Sequence, residues 1–196
     1  MYQATCRTLA ATLLVSVFAL AHATPAQAEK YKFDPNHTNI DWQANHFGFS
    51  NPSGKFAKTE GTLELDEDKP ENSKVTITIH TDSVVTGIEK FDQHIESADF
   101  LDAVKFPTAT FISDKVEVTG KETAKVSGML NLHGVENPVT LEVKLNKIGE
   151  SPVAHRKTAG FSASTTIKRS EFGINTALPF VSDEVKLSIE AEANVE

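Results

Sequence analysis

The chain has 196 residues with 27 acidic and 19 basic side chains, a formal charge of −8, and a 39% hydrophobic share that includes 12 Phe. One ordinary domain fits this length, the apolar content is enough for a core, and 10 Gly with 8 Pro is too few for a low-complexity or collagen-like chain. The acidic excess repels nucleic-acid backbones and anionic membrane surfaces, and no concentrated basic patch offsets it.

Residues 1–28 differ in kind from the rest. Arg7 gives a positive start, Leu9 to Ala21 carries no charge, and Ala26-Gln27-Ala28 places small residues where a signal peptidase reads, so a cleaved secretion signal is expected. The apolar run is short of the about 20 residues a membrane anchor needs, being cut by His22, Thr24, Pro25 and Gln27. The single cysteine, Cys6, precedes the apolar run and would leave with the leader. Thiol catalysis, iron–sulfur ligation and cysteine zinc sites are thereby excluded from residues 29–196, and the domain must hold together without disulfides. No later segment is long and apolar enough to span a membrane.

From there the dominant signal has period two. Ile40, Trp42, Ala44 and His46 alternate with Asp41, Gln43 and Asn45, the pattern of a strand with one buried face. The same alternation returns over 59–65, 75–79, 109–118, 126–132, 139–145, 161–167 and 185–191, predicting about eight strands. Asn51-Pro52-Ser53-Gly54, Asp66 to Pro70 and His133 to Pro138 carry turn residues, so hairpins rather than crossovers are expected. Between Glu89 and Asp102 the spacing changes. Phe91, Ile95, Ala98 and Leu101 recur at helical intervals, with Ser97 placed to cap a second short turn and Pro107 as the stop.

An antiparallel sheet of eight strands buries its edges by closing, so the expected fold is all-β, an antiparallel eight-stranded barrel with a short helical insertion across an edge or mouth. Small residues at inferred inward positions, Ala44, Gly61, Ala109, Gly128, Ala163 and Ala191, either leave a cavity or simply make room for Trp42, Phe111 and Phe161. The pattern does not choose between these.

Several segments match a known family in order and spacing. They are Phe33-Asp34-Pro35-Asn36-His37-Thr38, Gly54-Lys55-Phe56, Gly61-Thr62-Leu63, Phe91-Asp92-Gln93-His94-Ile95, Ser97-Ala98-Asp99-Phe100 and Phe106 to Phe111. Leu130 to Val135 with Pro138-Val139, Gly160-Phe161, Lys168 to Gly173 and Ser182 to Val185 continue the match. Over residues 31–192 the chain resembles the YceI-like family of secreted bacterial proteins. That resemblance implies a lipocalin-like barrel over residues 29–196 that holds a long polyisoprenoid or similar amphiphilic lipid, a periplasmic location, a homodimer, and no cofactor beyond the bound lipid. Family members fused to membrane cytochrome domains exist; this sequence is expected to be the stand-alone form. Two positions depart from the pattern: Thr59, where an apolar residue is usual, and Glu136-Asn137, where a basic residue is common.

The expected ligand-lining residues are the inward apolar set Trp42, Leu63, Ile77, Phe111, Leu130, Leu141, Phe161 and Leu187, with Phe91 and Phe100 able to close one end. For each, ordinary core packing is the alternative role. His46 shares the inward face with Trp42, and His94 follows Asp92, so these three polar groups either meet a headgroup or metal or form a buried hydrogen-bond network. There is no HxH, HExxH or Gly-x-Ser-x-Gly motif. The pair Lys168-Arg169 either faces a pyrophosphate or is solvated. Two other classes remain open, a metal-dependent or hydrolytic enzyme using His46 and His94, and a stress-related binding module without ligand.

Overall fold

Alternating polar and apolar residues leave each strand one greasy face, and a sheet that curls until its first and last strands meet hides all of those faces at once. In the computed structural model, which describes residues 28–196, that closure is complete. Residues 1–27, with nearly all of the expected leader and Cys6, lie outside the described residues.

The strands are β1 (Glu29–Phe33), β2 (Asn39–His46), β3 (Ser53–Phe56), β4 (Thr59–Leu65), β5 (Lys74–His80), β6 (Val84–Val85), β7 (Thr108–Val118), β8 (Thr123–Leu132), β9 (Val135–Glu150), β10 (Lys157–Lys168) and β11 (Val181–Val195). One α-helix, α1 (Glu89–Glu96), lies between β6 and β7. Hydrogen bonding runs β1-β4-β5-β7-β8-β9-β10-β11 and returns from β11 to β1, an eight-stranded antiparallel ring. The expected barrel is therefore present.

Three short strands escape the period-two reading. β11 is long enough to pair with β2 through Glu190↔Asn39 and with β1 through Ala193↔Phe33, so β1 and β2 are two halves of one stave. The break between them is an Asp34-Pro35-Asn36 turn, in which Asp34 Oδ1 accepts the Asn36 N–H at 2.9 Å and Oδ2 meets His37 Nδ1 at 2.8 Å. That contact holds the Asp34 carboxyl below its usual range and raises the His37 imidazole. β3 with β4, and β5 with β6, are broken in the same way. A two-residue strand such as Val84-Val85 is too short to show any period.

The His133–Pro138 turn is shorter than expected. His133 (φ 55°) and Gly134 (φ 76°) alone make the reversal, and β9 already begins at Val135, with Pro138 inside the ladder opposite Met129. Two successive positive φ values suit the twist of a tight hairpin. A Cβ on Gly134 would stand 2.5 Å from the Phe106 ring, so glycine is required there on two counts.

The helix is also shorter than the 89–102 pattern. α1 ends at Glu96 and is capped by Ser97, whose N–H and hydroxyl both donate to the His94 carbonyl, and hydrogen-bonded turns carry the chain on to Leu101. Thr86 donates its N–H and hydroxyl to Asp92, and the Val84 N–H donates to Glu96, tying the helix to β6. Because β6 pairs with β3 and not with β7, the sheet gapes here, and the apolar side of α1 covers the opening.

Candidate functional site

The inside of the ring is hollow, and its space divides into two apolar chambers that adjoin at Ile40. The lower chamber, about 390 Å³, lies within the continuous part of the ring between Phe33, Leu63, Val75, Phe111, Val143 and Ala191. Its charged lining residues, Glu67, Lys74, Lys121 and Glu122, are exposed and sit at the β4–β5 and β7–β8 connections, which marks the outer rim. The upper chamber, about 370 Å³, lies under α1 where the staves are broken. Each volume falls within the range of pockets that enclose small molecules.

Both proposed roles of the small inward residues are found. Ala44 and Ala109 border the upper chamber and Ala163 and Ala191 the lower, where larger side chains would occupy the space. Gly128 instead accommodates a ring: a Cβ there would stand 2.8 Å from Phe111 Cζ and 2.2 Å from the Ile112 carbonyl oxygen. Gly54 does the same for Trp42, whose Cζ2 would be 2.8 Å away. Both large rings therefore rest on the glycine of a neighbouring strand, along the wall. Gly61 borders neither chamber; its Cβ would meet the Thr76 carbonyl at 2.3 Å, so it permits close strand approach.

All twelve residues singled out from the sequence line this interior. Leu63, Ile77, Phe111, Leu141 and Phe161 face the lower chamber. Trp42, His46, Phe91, His94, Phe100, Leu130 and Leu187 face the upper one. Phe91 meets Trp42 edge-on at 6.3 Å and Phe100 meets His94 at 5.0 Å, so the helical segment and β2 close over the same space. Sequence reading missed Phe33, Phe56, Leu145 and Ile148, which also line the chambers. Phe33 and Leu145 continue the same alternation and were legible; Ile148 lies beyond the bulge at Asn146 of β9, where the register against β10 shifts.

Polar groups are unevenly placed. Asp92 is engaged by Thr86, so it does not converge with His46 and His94, and no group of three His, Cys, Asp or Glu able to hold a metal occurs among the described residues. Arg169 corrects the expectation for the basic pair: Lys168 is exposed, but Arg169 is buried against the upper chamber. Its guanidinium donates to the carbonyls of Ser182, Ile174 and Val181, each at 2.9 Å, and so holds the chain from Ile174 to Ser182. Burial lowers its pKa, opposed by the nearby Asp183 charge. Burial in turn pushes the Asp183 carboxyl up, but the Ser170 N–H (2.8 Å) and hydroxyl (2.7 Å), with Arg169, outweigh it and hold the carboxyl low. Ser170 is thus a structural donor. Asn137, one of the two departures, donates to the Glu171 carbonyl at 2.8 Å and braces the same turn. Thr59, the other, points inward and is buried without a partner for its hydroxyl.

The opposite end carries a charged cluster at its rim. Buried Tyr31 donates its hydroxyl to Glu29 at 3.0 Å, and Lys157 bridges Glu29 and Glu67. Burial first, then the Glu29 contact, pushes the Tyr31 phenol up to about 12.

Residues 31–193 match the model of the YceI-like domain. The UPF0312 protein of Pseudomonas putida strain W619 is 42% identical over 158 residues, covering 80% of this chain and 82% of that protein. Among solved structures, the Campylobacter jejuni YCEI protein superposes with a TM-score of 0.70 at 31% identity, over 78% of this chain and 90% of that one. A polyisoprenoid binding domain from Saccharophagus degradans shares the fold at a TM-score of 0.67 and 14% identity, over 85% and 98% of the two chains.

Proposed function

The chain belongs to the YceI-like family, and from that membership and the divided hollow we propose that it is a periplasmic binding protein that encloses the tail of a long polyisoprenoid or similar amphiphile. The observation that carries this reading is the pair of apolar chambers stacked inside one ring, which suits a long, thin occupant better than a compact one. Removing such a tail from water is worth about 25 cal/mol per Å², and no covalent chemistry is needed. The polyisoprenoid-binding neighbour supports the ligand class, and the leader pattern supports export. Carriage or storage, rather than turnover, is the role that a closed apolar interior serves.

Native mass spectrometry of the secreted protein tests it. A mass above that of the polypeptide, released into organic solvent, is expected, and the same spectrum reports whether the homodimer forms. Ala163→Phe should fill part of the lower chamber and abolish or shorten the bound species while the barrel persists. Gently isolated wild-type protein with the bare polypeptide mass would overturn the proposal.

A further inference from the structure

Beside α1, the end of the barrel above the upper chamber carries two loops, residues 47–52 between β2 and β3, and residues 173–180 leading into β11. Phe47 (φ 55°) and Gly48 (φ 76°) turn the first loop sharply. Its backbone is held by Gly48 N–H to Asn45 Oδ1 (2.8 Å) and Phe49 N–H to the His46 carbonyl (2.9 Å). Phe47 N–H also donates to the Phe180 carbonyl at 2.8 Å, which joins the two loops. Their rings stack at 5.7 Å, and beside them Phe49 is 90% exposed, Phe180 64% and Phe47 47%.

Three phenylalanines on backbone-braced tips facing water form an unusual surface, because exposed apolar clusters of this kind mark contact sites. Residues 46–53 and 174–182 contain no Asp, Glu, Lys or Arg, although 23% of the chain is charged. A charged partner would find nothing to pair with here. A second copy is poorly served as well: the exposed parts of three Phe side chains amount to about 300–500 Å², against about 800 Å² per partner in a stable interface. A bilayer requires only that rings reach the acyl boundary. Phe47 and Ala177 also line the upper chamber, so the cluster is the outer lip of the hollow.

We propose that this aromatic lip docks on a zwitterionic phospholipid bilayer and that an amphiphile passes between the bilayer and the upper chamber beside it. The inference rests on the binding role proposed above, because a tail insoluble in water has to be collected from, or returned to, a membrane. The acidic charge of the rest of the molecule disfavours an anionic bilayer.

Sedimentation of the secreted protein with phosphatidylcholine vesicles tests the docking. Phe49→Ser and Phe180→Ser should each weaken partitioning by about tenfold. Val153→Ser is the control: this residue is 86% exposed and precedes β10, whereas the lip follows that strand's other end, and its replacement should change nothing. Wild-type protein that stays in the supernatant, or a Val153→Ser loss as large as that of Phe49→Ser, would overturn the proposal. So would variants that turn a dimer into a monomer in vesicle-free solution while partitioning is unchanged, since the lip would then be a self-association surface. Native mass spectra separate the two readings. A lipid-laden protein that ignores vesicles sinks the docking alone, and a lipid-free protein that binds vesicles sinks the carrier role and the passage of an amphiphile while leaving the docking.

Discussion

The two chambers have nearly equal volumes but unlike walls. Around the lower one every stave is hydrogen-bonded to both neighbours, the lining is apolar up to its rim, and the Tyr31–Glu29–Lys157–Glu67 cluster ties the base. Around the upper one three staves are broken, β6 does not pair with β7, α1 covers the gap, and His46, His94 and Arg169 enter the wall. A closed ladder excludes water and has no means of opening without breaking several hydrogen bonds together. A broken ladder roofed by a short helix can admit a ligand at lower cost. The two halves of one barrel thus differ in how their walls are held together.

Arg169 offers the most severe test of that division. Arg169→Met removes the donor from three carbonyls, that of Ile174 buried and those of Val181 and Ser182 partly so, and should destabilise the protein by about 3–5 kcal/mol, read as a lowered midpoint in urea. The loss should concentrate in the upper half: amide exchange should rise in residues 174–182 before it rises in β1 or β4. Uniform exchange along the ring would mean that the two halves unfold as one unit.

Tyr31 probes the base. Its pKa is raised to about 12 in the folded protein from an ordinary value near 10, so the neutral phenol is favoured by folding. The associated stability, on the order of 2 kcal/mol, is complete below about pH 10 and is lost as pH rises toward about 12. In a chain without residues 1–28, Tyr31 is the single tyrosine, so tyrosinate absorbance reads it directly. Ionisation at an ordinary pH in the folded protein would show that the base is open to water.

The smallest effect is expected at Thr59. Replacing its orphaned hydroxyl in Thr59→Val should raise the thermal midpoint slightly, by up to about 1 kcal/mol of stability, measured by calorimetry. A clear loss of stability would mean that the hydroxyl has a partner inside the barrel.

Much of this molecule was legible before folding. Alternation along Val126 to Leu132 or Val139 to Leu145 identifies the inward face of a strand because side chains on a pleated ribbon point to opposite sides, and closure follows from the need to bury eight such faces. The turn residues also implied antiparallel neighbours. What alternation cannot convey is whether inward residues meet across the lumen. That depended on Trp42 and Phe111 lying over Gly54 and Gly128 of adjacent strands, a relation between residues distant in sequence or set by register.

Arg169 shows the same limit from the polar side. Its charge suggested solvent or a phosphate, and only the three-dimensional arrangement brings the carbonyls of Ile174, Val181 and Ser182 around its guanidinium. The sequence by itself determined eight of the eleven strands, their inward faces and the family pattern, because these are written in local spacing. Tertiary structure alone decided that the lumen is hollow, that it is divided at Ile40, and that one end carries an uncharged aromatic lip. Volume and exposure are set by which walls come together, and no single segment contains that information.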